Sequence, residues 1–429
     1  MKTYWRFHSV GLAAALVCAG ACFGQRPQPL TLDECIRRAL SVPSAVSLAR
    51  QDRIIAERER IQARAGFLPI SGVNFGYTYN SPALQDRSTF SFVALNGVRE
   101  FVILGNIFQE IDTSGRLRAD YARARANQQA SAASLGMAER DLKRAVAGAY
   151  YRLLLARHLV DAIKASLEES RQFEQRVKLL ASSGEAARAD VVKASAQVAF
   201  LAQSLGAAEL AATLANHDLA AFWSKDVAEP LRLVDVFVEP LPEPERAPAE
   251  EAPYMRRLEF RLIDAQMQGF RAEARAAKAN LYPRLSWTFQ YGLDVNKVAW
   301  NNRGYAAFVN LNIPVFDWFR SISSARQAEA RAAQAADSRA IAERRLSQEY
   351  QSALERVKQF YAQAAQCRHQ VALAEEDLKL SRIRFEGGEG AALDVVVAQN
   401  QLAQARSNYF STVANYWNAR WDLEVASGR

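Results

Sequence analysis

The hydrophobic positions along this chain follow two periods. Leu142, Val146, Ala149, Leu153, Ala156, Val160, Ile163 and Leu167 keep a strict four-three spacing, the seam of a coiled coil. Leu346, Tyr350, Ala353, Val357, Phe360, Ala364, Cys367 and Val371 repeat it, each 204 residues after its counterpart (346 − 142 = 204). Elsewhere the period falls to two. Val73, Phe75, Tyr77 and Tyr79 alternate with Gly72, Asn74, Gly76 and Thr78. Leu285, Trp287, Phe289 and Tyr291 alternate with polar residues, and Tyr305, Ala307, Val309, Leu311 and Ile313 form a further alternating run. These are strands with an aromatic face. A fourth strand is required between Thr89 and Phe108, where Leu95-Asn-Gly97 leaves its register open between a turn and a bulge.

Breakers and caps divide these runs. Thr31-Leu-Asp-Glu34 is a capping box that opens a helix, Pro43 interrupts it, and the pattern resumes from Ser44 to about Gly66. Phe67-Leu-Pro69 ends that helix, and Leu281-Tyr-Pro283 ends another that starts near Tyr254. A helix over 112–180 would be roughly 100 Å long, which no compact domain needs. It stops at Gly184-Glu-Ala-Ala-Arg-Ala-Asp190-Val-Val, and its counterpart stops at Gly388-Glu-Gly-Ala-Ala-Leu-Asp394-Val-Val, again 204 residues later (388 − 184 = 204). A shared seam register and a shared turn at one offset imply an internal duplication. A return helix runs from about Asp190 to Trp223 on Val191, Ala194, Val198, Leu201 and Leu205. Residues 225–253 hold six prolines among acidic residues and read as a linker or an irregular belt. The expected organisation is a leader over 1–24, a first repeat over 25–224, the belt, and a second repeat over 254–429.

Composition adds compartment and excludes partners. Lys2 and Arg6 precede an apolar run from Val10 to Ala19, too short to span a bilayer and followed by small residues. That is a secretory signal peptide, and cleavage after Ala21 or after Gly24 satisfies the small-residue rule equally. Ala19-Gly-Ala-Cys22 is also a degenerate lipoprotein site, which makes Cys22 a candidate for acylation. Four cysteines, one inside the leader, make no disulfide framework. Cys35 and Cys367 are left either bridged or as unpaired thiols. The net charge of +8 is distributed as arginines among Glu and Asp, as in Ile54-Ile-Ala-Glu-Arg-Glu-Arg60, a solvated face and not a nucleic-acid footprint.

Strands near 9 to 11 residues are long enough to cross a bilayer, but four of them cannot close a barrel. An open sheet edge in lipid leaves backbone groups unpaired at several kcal/mol each, so such strands span a membrane only when several chains pool them. At this point the chain resembles the TolC-like outer-membrane efflux proteins. The resemblance rests on Leu30-Thr-Leu-Asp-Glu-Cys-Ile-Arg-Arg-Ala-Leu40, Ala63-Arg-Ala-Gly-Phe-Leu-Pro69, Ala276-Ala-Lys-Ala-Asn-Leu-Tyr-Pro283, Asn312-Ile-Pro-Val-Phe-Asp317 and the two Gly-Glu turns, in that duplicated order. It implies a mainly α fold with a membrane β-barrel part, in which duplicated helical hairpins form a trimeric α-barrel and four strands per chain build a twelve-stranded barrel. It also implies a passive exit duct of a tripartite efflux or type I secretion system. Its partners would be two further copies of the chain, a periplasmic adaptor, an inner-membrane transporter and outer-membrane lipid. The chain departs from the family pattern at Val42-Pro43, where many relatives have Asn-Pro, and at Arg188-Ala189.

In such a tube the Gly-Glu turns ring the periplasmic mouth. Asp190 and Asp394 are then either gate residues, focusing a field that favours cations, or caps on their own helices. The family can carry a second acid one turn after the Asp394 position, where this chain has Val397. Gly184, Gly387 and Gly388 suit positive φ at helix ends. Gly184 and Gly388, with Glu185, Arg188 and Glu389, are candidates for adaptor contact. Phe75, Tyr77, Trp287, Phe289 and Tyr291 are candidates to face lipid. No cofactor, metal or enzyme is indicated: His158, His217 and His369 lack ligand spacing, no Gly-x-Ser-x-Gly nucleophile occurs, and Gly388-Glu-Gly390 lacks the strand and the remaining glycines of a phosphate loop. The competing reading is an exported coiled-coil scaffold without a pore.

Overall fold

The structure, a computed structural model, describes residues 29–81, 98–244 and 252–428. The leader, Cys22 and Leu95-Asn-Gly97 lie outside the described residues.

Chain order alternates short and long helices around two strand pairs. Helix α1 (Leu32–Ser41) starts at Thr31, whose Oγ1 accepts from the Glu34 N–H at 3.2 Å, the expected cap. After Pro43, α2 (Ala45–Ala65) leads to β1 (Ile70–Tyr79) and β2 (Arg99–Ile111). The strand runs three residues past Phe108, and α3 (Arg116–Ser182) begins four residues later than position 112. Asp112 supplies the reason: its carboxylate accepts from the N–H groups of Leu117 and Arg118 at 3.0 and 3.2 Å and so stands outside the helix as its cap. Helix α4 (Arg188–Ala220) returns along α3. In the second half, α5 (Leu258–Ala279) starts after a 3-10 turn at Pro253–Arg256, not at Tyr254. β3 (Arg284–Val295), β4 (Gly304–Asn312), α6 (Arg320–Glu386) and α7 (Ala392–Ser427) follow. α3 and α6 each hold 67 residues and begin 204 apart (320 − 116 = 204), so the duplication in sequence is a duplication in structure.

The helices form a wall one layer thick. Nearest the sheet the neighbours run α2, α3, α5, α6; in the far half α4 replaces α2 and α7 replaces α5. The predicted seam is the inside of this wall: Val146, Ala149, Leu153, Ala156, Val160 and Leu167 are buried in α3, and Leu346, Tyr350, Ala353, Val357 and Ala364 in α6. The largest core cluster lies where α1, α3, the end of α4, α7 and the segment after α4 meet. That segment is a packed belt. Leu30 bridges Leu233 in parallel, and the Tyr150 hydroxyl donates to the Val234 carbonyl at 2.6 Å. Phe237 is buried, stacked with Tyr151 and with His158. The two thiols are free: Cys35 lies on the buried face of α1, where burial lifts its pKa to about 11, and Cys367 sits 3.7 Å from the Thr412 hydroxyl.

Candidate functional site

Two regions carry the features expected of a functional site, the sheet at one end of the wall and the helical turns at the other. The sheet is four-stranded and antiparallel in the order β1-β2-β3-β4. Side chains alternate across a strand and directly opposed residues share a face, so the register assigns every position. Phe75 opposes Ile103, which opposes Leu293, and Tyr77 opposes Phe101. Trp287 opposes Val309, Phe289 opposes Ile107 and Ala307, and Tyr291 opposes Gly105 and Tyr305. All five aromatics singled out from the sequence therefore share one face, which is apolar except for Ser71, Arg99 and Gln109 near the strand ends. Ring contacts of Tyr77 with Phe101 at 4.9 Å and of Phe289 with Tyr305 at 6.3 Å agree with this. The opposite face carries Asn74, Thr78, Asn106, Ser286, Thr288, Gln290, Asp294 and Asn310. Gly292 is required where strands approach: a Cβ there would meet the Ile103 carbonyl oxygen at 1.9 Å.

The apolar face is most open along its two outer strands, with Phe75 76% and Tyr305 78% exposed; Trp287 and Phe289 are half-buried and Leu293 is buried. Among the described residues β1 and β4 each pair on one side only, leaving two open edges. The same edges continue into the wall, because β1 follows α2 and β4 precedes α6, the two outermost helices of the half next to the sheet.

At the far end the two turns are built alike. Gly184 (φ 81°) and Gly388 (φ 77°) take the left-handed conformation, whereas Gly387 does not: at φ −78° it is still right-handed and serves as the C-cap of α6, so one left-handed residue per turn suffices. The N–H of Glu185 reaches the Leu180 carbonyl and that of Glu389 the Arg384 carbonyl, both at 2.9 Å. Gly184 and Gly388 bond back to Ala181 and Phe385, which completes the same two-bond helix stop in each turn. The aspartates then differ. Asp394 accepts from the Ala391 N–H at 3.2 Å and so caps α7, while Asp190 stands 3.5 Å from the Lys193 ammonium at the start of α4. Glu185, Arg188 and Glu389 are exposed. The tips are held together by Phe173 against Phe385, with ring centroids 5.2 Å apart. Further up, Ser170 donates to Gln399 at 2.8 Å, and Gln197 and Asn400 exchange side-chain amide bonds at 2.6 and 3.4 Å.

Three features escaped the sequence. These amide and hydroxyl ties between the hairpins are one; Gln197 lies four residues before the seam position Leu201, which was a usable signal. His158 is another. It fastens the belt, its Nε2 2.8 Å from Asp235 and its ring between Phe410 and Phe237. The third is a strap of charges at the start of the second half. Buried Arg257 bonds Glu259 and Glu349 at 2.8 and 2.7 Å, and Arg140 reaches Glu259 at 2.9 Å. Burial opposes the charge on Glu259, but the bonds from Arg257 and the field of Arg140 outweigh it and hold the carboxyl below its usual range. No group of three or more His, Cys, Asp or Glu able to hold a metal occurs among the described residues.

Solved structures with this architecture are outer-membrane channels. VceC from Vibrio cholerae superposes with a TM-score of 0.82 at 18% identity over 92% of this chain and 96% of its own. CmeC from Campylobacter jejuni gives 0.85 at 17% over 92% and 85%. The open-state MtrE channel of Neisseria gonorrhoeae gives 0.78 at 20% over 92% and 88%. At these identities the likeness carries the fold. No curated protein matches the sequence significantly. The family assignment comes from residues 36–224 and 255–429, which match outer membrane efflux protein in two blocks on either side of the belt. The chain belongs to the outer membrane efflux protein family, non-enzymatic outer-membrane channels whose helical part extends into the periplasm.

Proposed function

We propose that the chain is one third of an exit duct, a homotrimer that passively conducts substrates from an inner-membrane transporter and a periplasmic adaptor, in a tripartite efflux or type I secretion system, to the outside. The observation that carries this reading is the pair of open edges. β1 with α2 on one side and β4 with α6 on the other lack a further neighbour among the described residues. A strand edge in lipid must pair, and joining one edge to the other is a heterologous contact that closes into a ring. Three copies make twelve strands. The helices agree: α4 is apolar enough to cross a membrane by composition, yet leaves Val192, Phe200, Leu210 and Leu214 exposed. A neighbouring copy's wall would cover them. A scaffold without a pore leaves the apolar face of the sheet without a role.

In this reading residues 1–24 direct export, Cys22 is a possible lipid anchor, and 25–224 and 254–429 are the two repeats joined by the 225–253 belt. Phe75, Tyr77, Trp287, Phe289 and Tyr291 face lipid. Gly184, Glu185, Arg188, Gly388 and Glu389 meet the adaptor at the mouth. Asp190 and Asp394 ring the aperture, where Asp394 both caps its helix and contributes charge. Planar-bilayer recording of the purified protein tests the duct: discrete conductance steps are expected, and their absence from inserted protein contradicts it. Asp394→Ala should raise conductance or relieve cation block; unchanged conductance removes Asp394 from the gate and leaves it a cap.

A further inference from the structure

Between α3, α5 and α6, in the first turns of the wall beneath the sheet, lies an open groove of about 900 Å³. Its lining is basic. Arg125 comes from α3 and Arg271, Arg275 and Lys278 from α5, with the amides of Gln129 and Gln268 beside them. Arg271, Arg275 and Lys278 fall at i, i+4 and i+7 and so share one face of α5 over roughly 10 Å of its axis. Buried Ala126, Ala274 and Ala332 floor the groove and leave its volume open.

The charge there is unbalanced. Lys278 pairs with Glu329 at 2.5 Å, but Arg125, Arg271 and Arg275 have no ion pair among the described residues. Other arginines of the same helices do have acidic partners: Arg331 answers Glu273, Arg339 answers Asp264, and Arg116 answers Glu110 and Asp120. Like charges one turn apart repel, and a polyvalent anion laid across them relieves that repulsion. Guanidinium groups present paired donors that match the oxygens of a phosphate.

We propose that this groove is a binding site for a polyvalent phosphate-type oxyanion. Two sources supply that chemistry. Lys278 lies six residues before β3 begins at Arg284, and Arg125 nine residues after α3 begins at Arg116, close to where the headgroups of the near leaflet sit. A soluble phosphorylated solute running along the wall offers the same groups.

The test uses the full-length protein purified in neutral detergent. Cardiolipin retention against phosphatidylethanolamine is read by native mass spectrometry, and inositol hexakisphosphate binding by calorimetry. The triple variant R271Q/R275Q/K278Q should bind at least about tenfold more weakly, while K164Q/K358Q/K379Q, which removes equal charge elsewhere, binds as wild type. Loss confined to cardiolipin identifies a lipid headgroup, and loss confined to the hexakisphosphate a soluble anion. Glu329→Gln, which removes the groove's carboxylate, should tighten binding even if the triple variant fails to fold. Equal losses in both triple variants, or binding that ignores all these changes, overturns the proposal. None of these readouts involves conductance, so the outcome is independent of the duct reading.

Discussion

α3 and α6 are copies of one helix, alike in length and seam, yet 20 residues are buried in α3 and 13 in α6. The difference is one of position. α3 is flanked on one side by α2 and α4 and on the other by α5 and α7, whereas α6 has only α5 and α7. Ile341, Leu373, Leu380 and Ile383 are exposed on α6, while Leu48, Ile54 and Ile55 are exposed on α2. A duplicated wall therefore ends in two unlike flanks, each apolar, and in the proposed trimer each would cover the other. The helices make the same statement as the strand edges above them.

The largest effect expected from this contrast is at the inside of α3. Leu153→Ala should cost about 2–5 kcal/mol in unfolding of the chain, because the cavity it leaves is walled on both sides. Ile341→Ala on the open flank of α6 should change the stability of a single chain by no more than about 0.5 kcal/mol. Equal costs in denaturant titrations would mean that α6 is already covered within one chain.

A second contrast concerns α1, which has no α-helical counterpart among the described residues of the second half. Burial of Cys35 on its inner face raises the thiol from 9.0 to about 11, with Arg38 opposing. The folded state then holds the proton more tightly than the unfolded one. Its contribution is complete below pH 9 and lost as pH rises toward 11, an upper limit of about 3 kcal/mol. Thermal melts across that window should fall, and Cys35→Ser should flatten the part of the fall that belongs to this thiol. Cys367 should alkylate in the native protein well before Cys35.

The smallest effects sharpen the comparison of the tips. Gly184→Ala and Gly388→Ala should each cost about 1–2 kcal/mol, since both positions are left-handed and open, so that only backbone strain is added. Asp394→Ala should cost about 1 kcal/mol for the lost cap, and Asp190→Ala less, because its partner is a surface lysine. Thermal shifts of the four variants rank them, and equal costs for the two aspartates would erase the asymmetry.

Much of this was legible in the sequence where periodicity is clean. The four-three seam and the 204-residue offset recovered both long helices, and Pro69 and Pro283 each stand one residue before a strand. β2 was not legible in register, because Phe101-Val-Ile-Leu-Gly-Asn-Ile-Phe108 carries apolar residues on both faces: Val102, Leu104 and Phe108 lie on the side that also holds Asn74, Thr288 and Gln290. The belt was read only as irregular, since its order comes from single contacts such as His158 with Asp235, which have no period. The basic groove draws on three helices whose relative rotation no local pattern specifies.

The central claim is that the two open flanks close on copies of the same chain. Counting chains per particle, by native mass or light scattering in gentle detergent, tests it directly. The account predicts three, falling to one with folded helices when Ile341→Glu and Leu380→Glu charge the α6 flank. A wild-type protein that stays single with its sheet intact would contradict it.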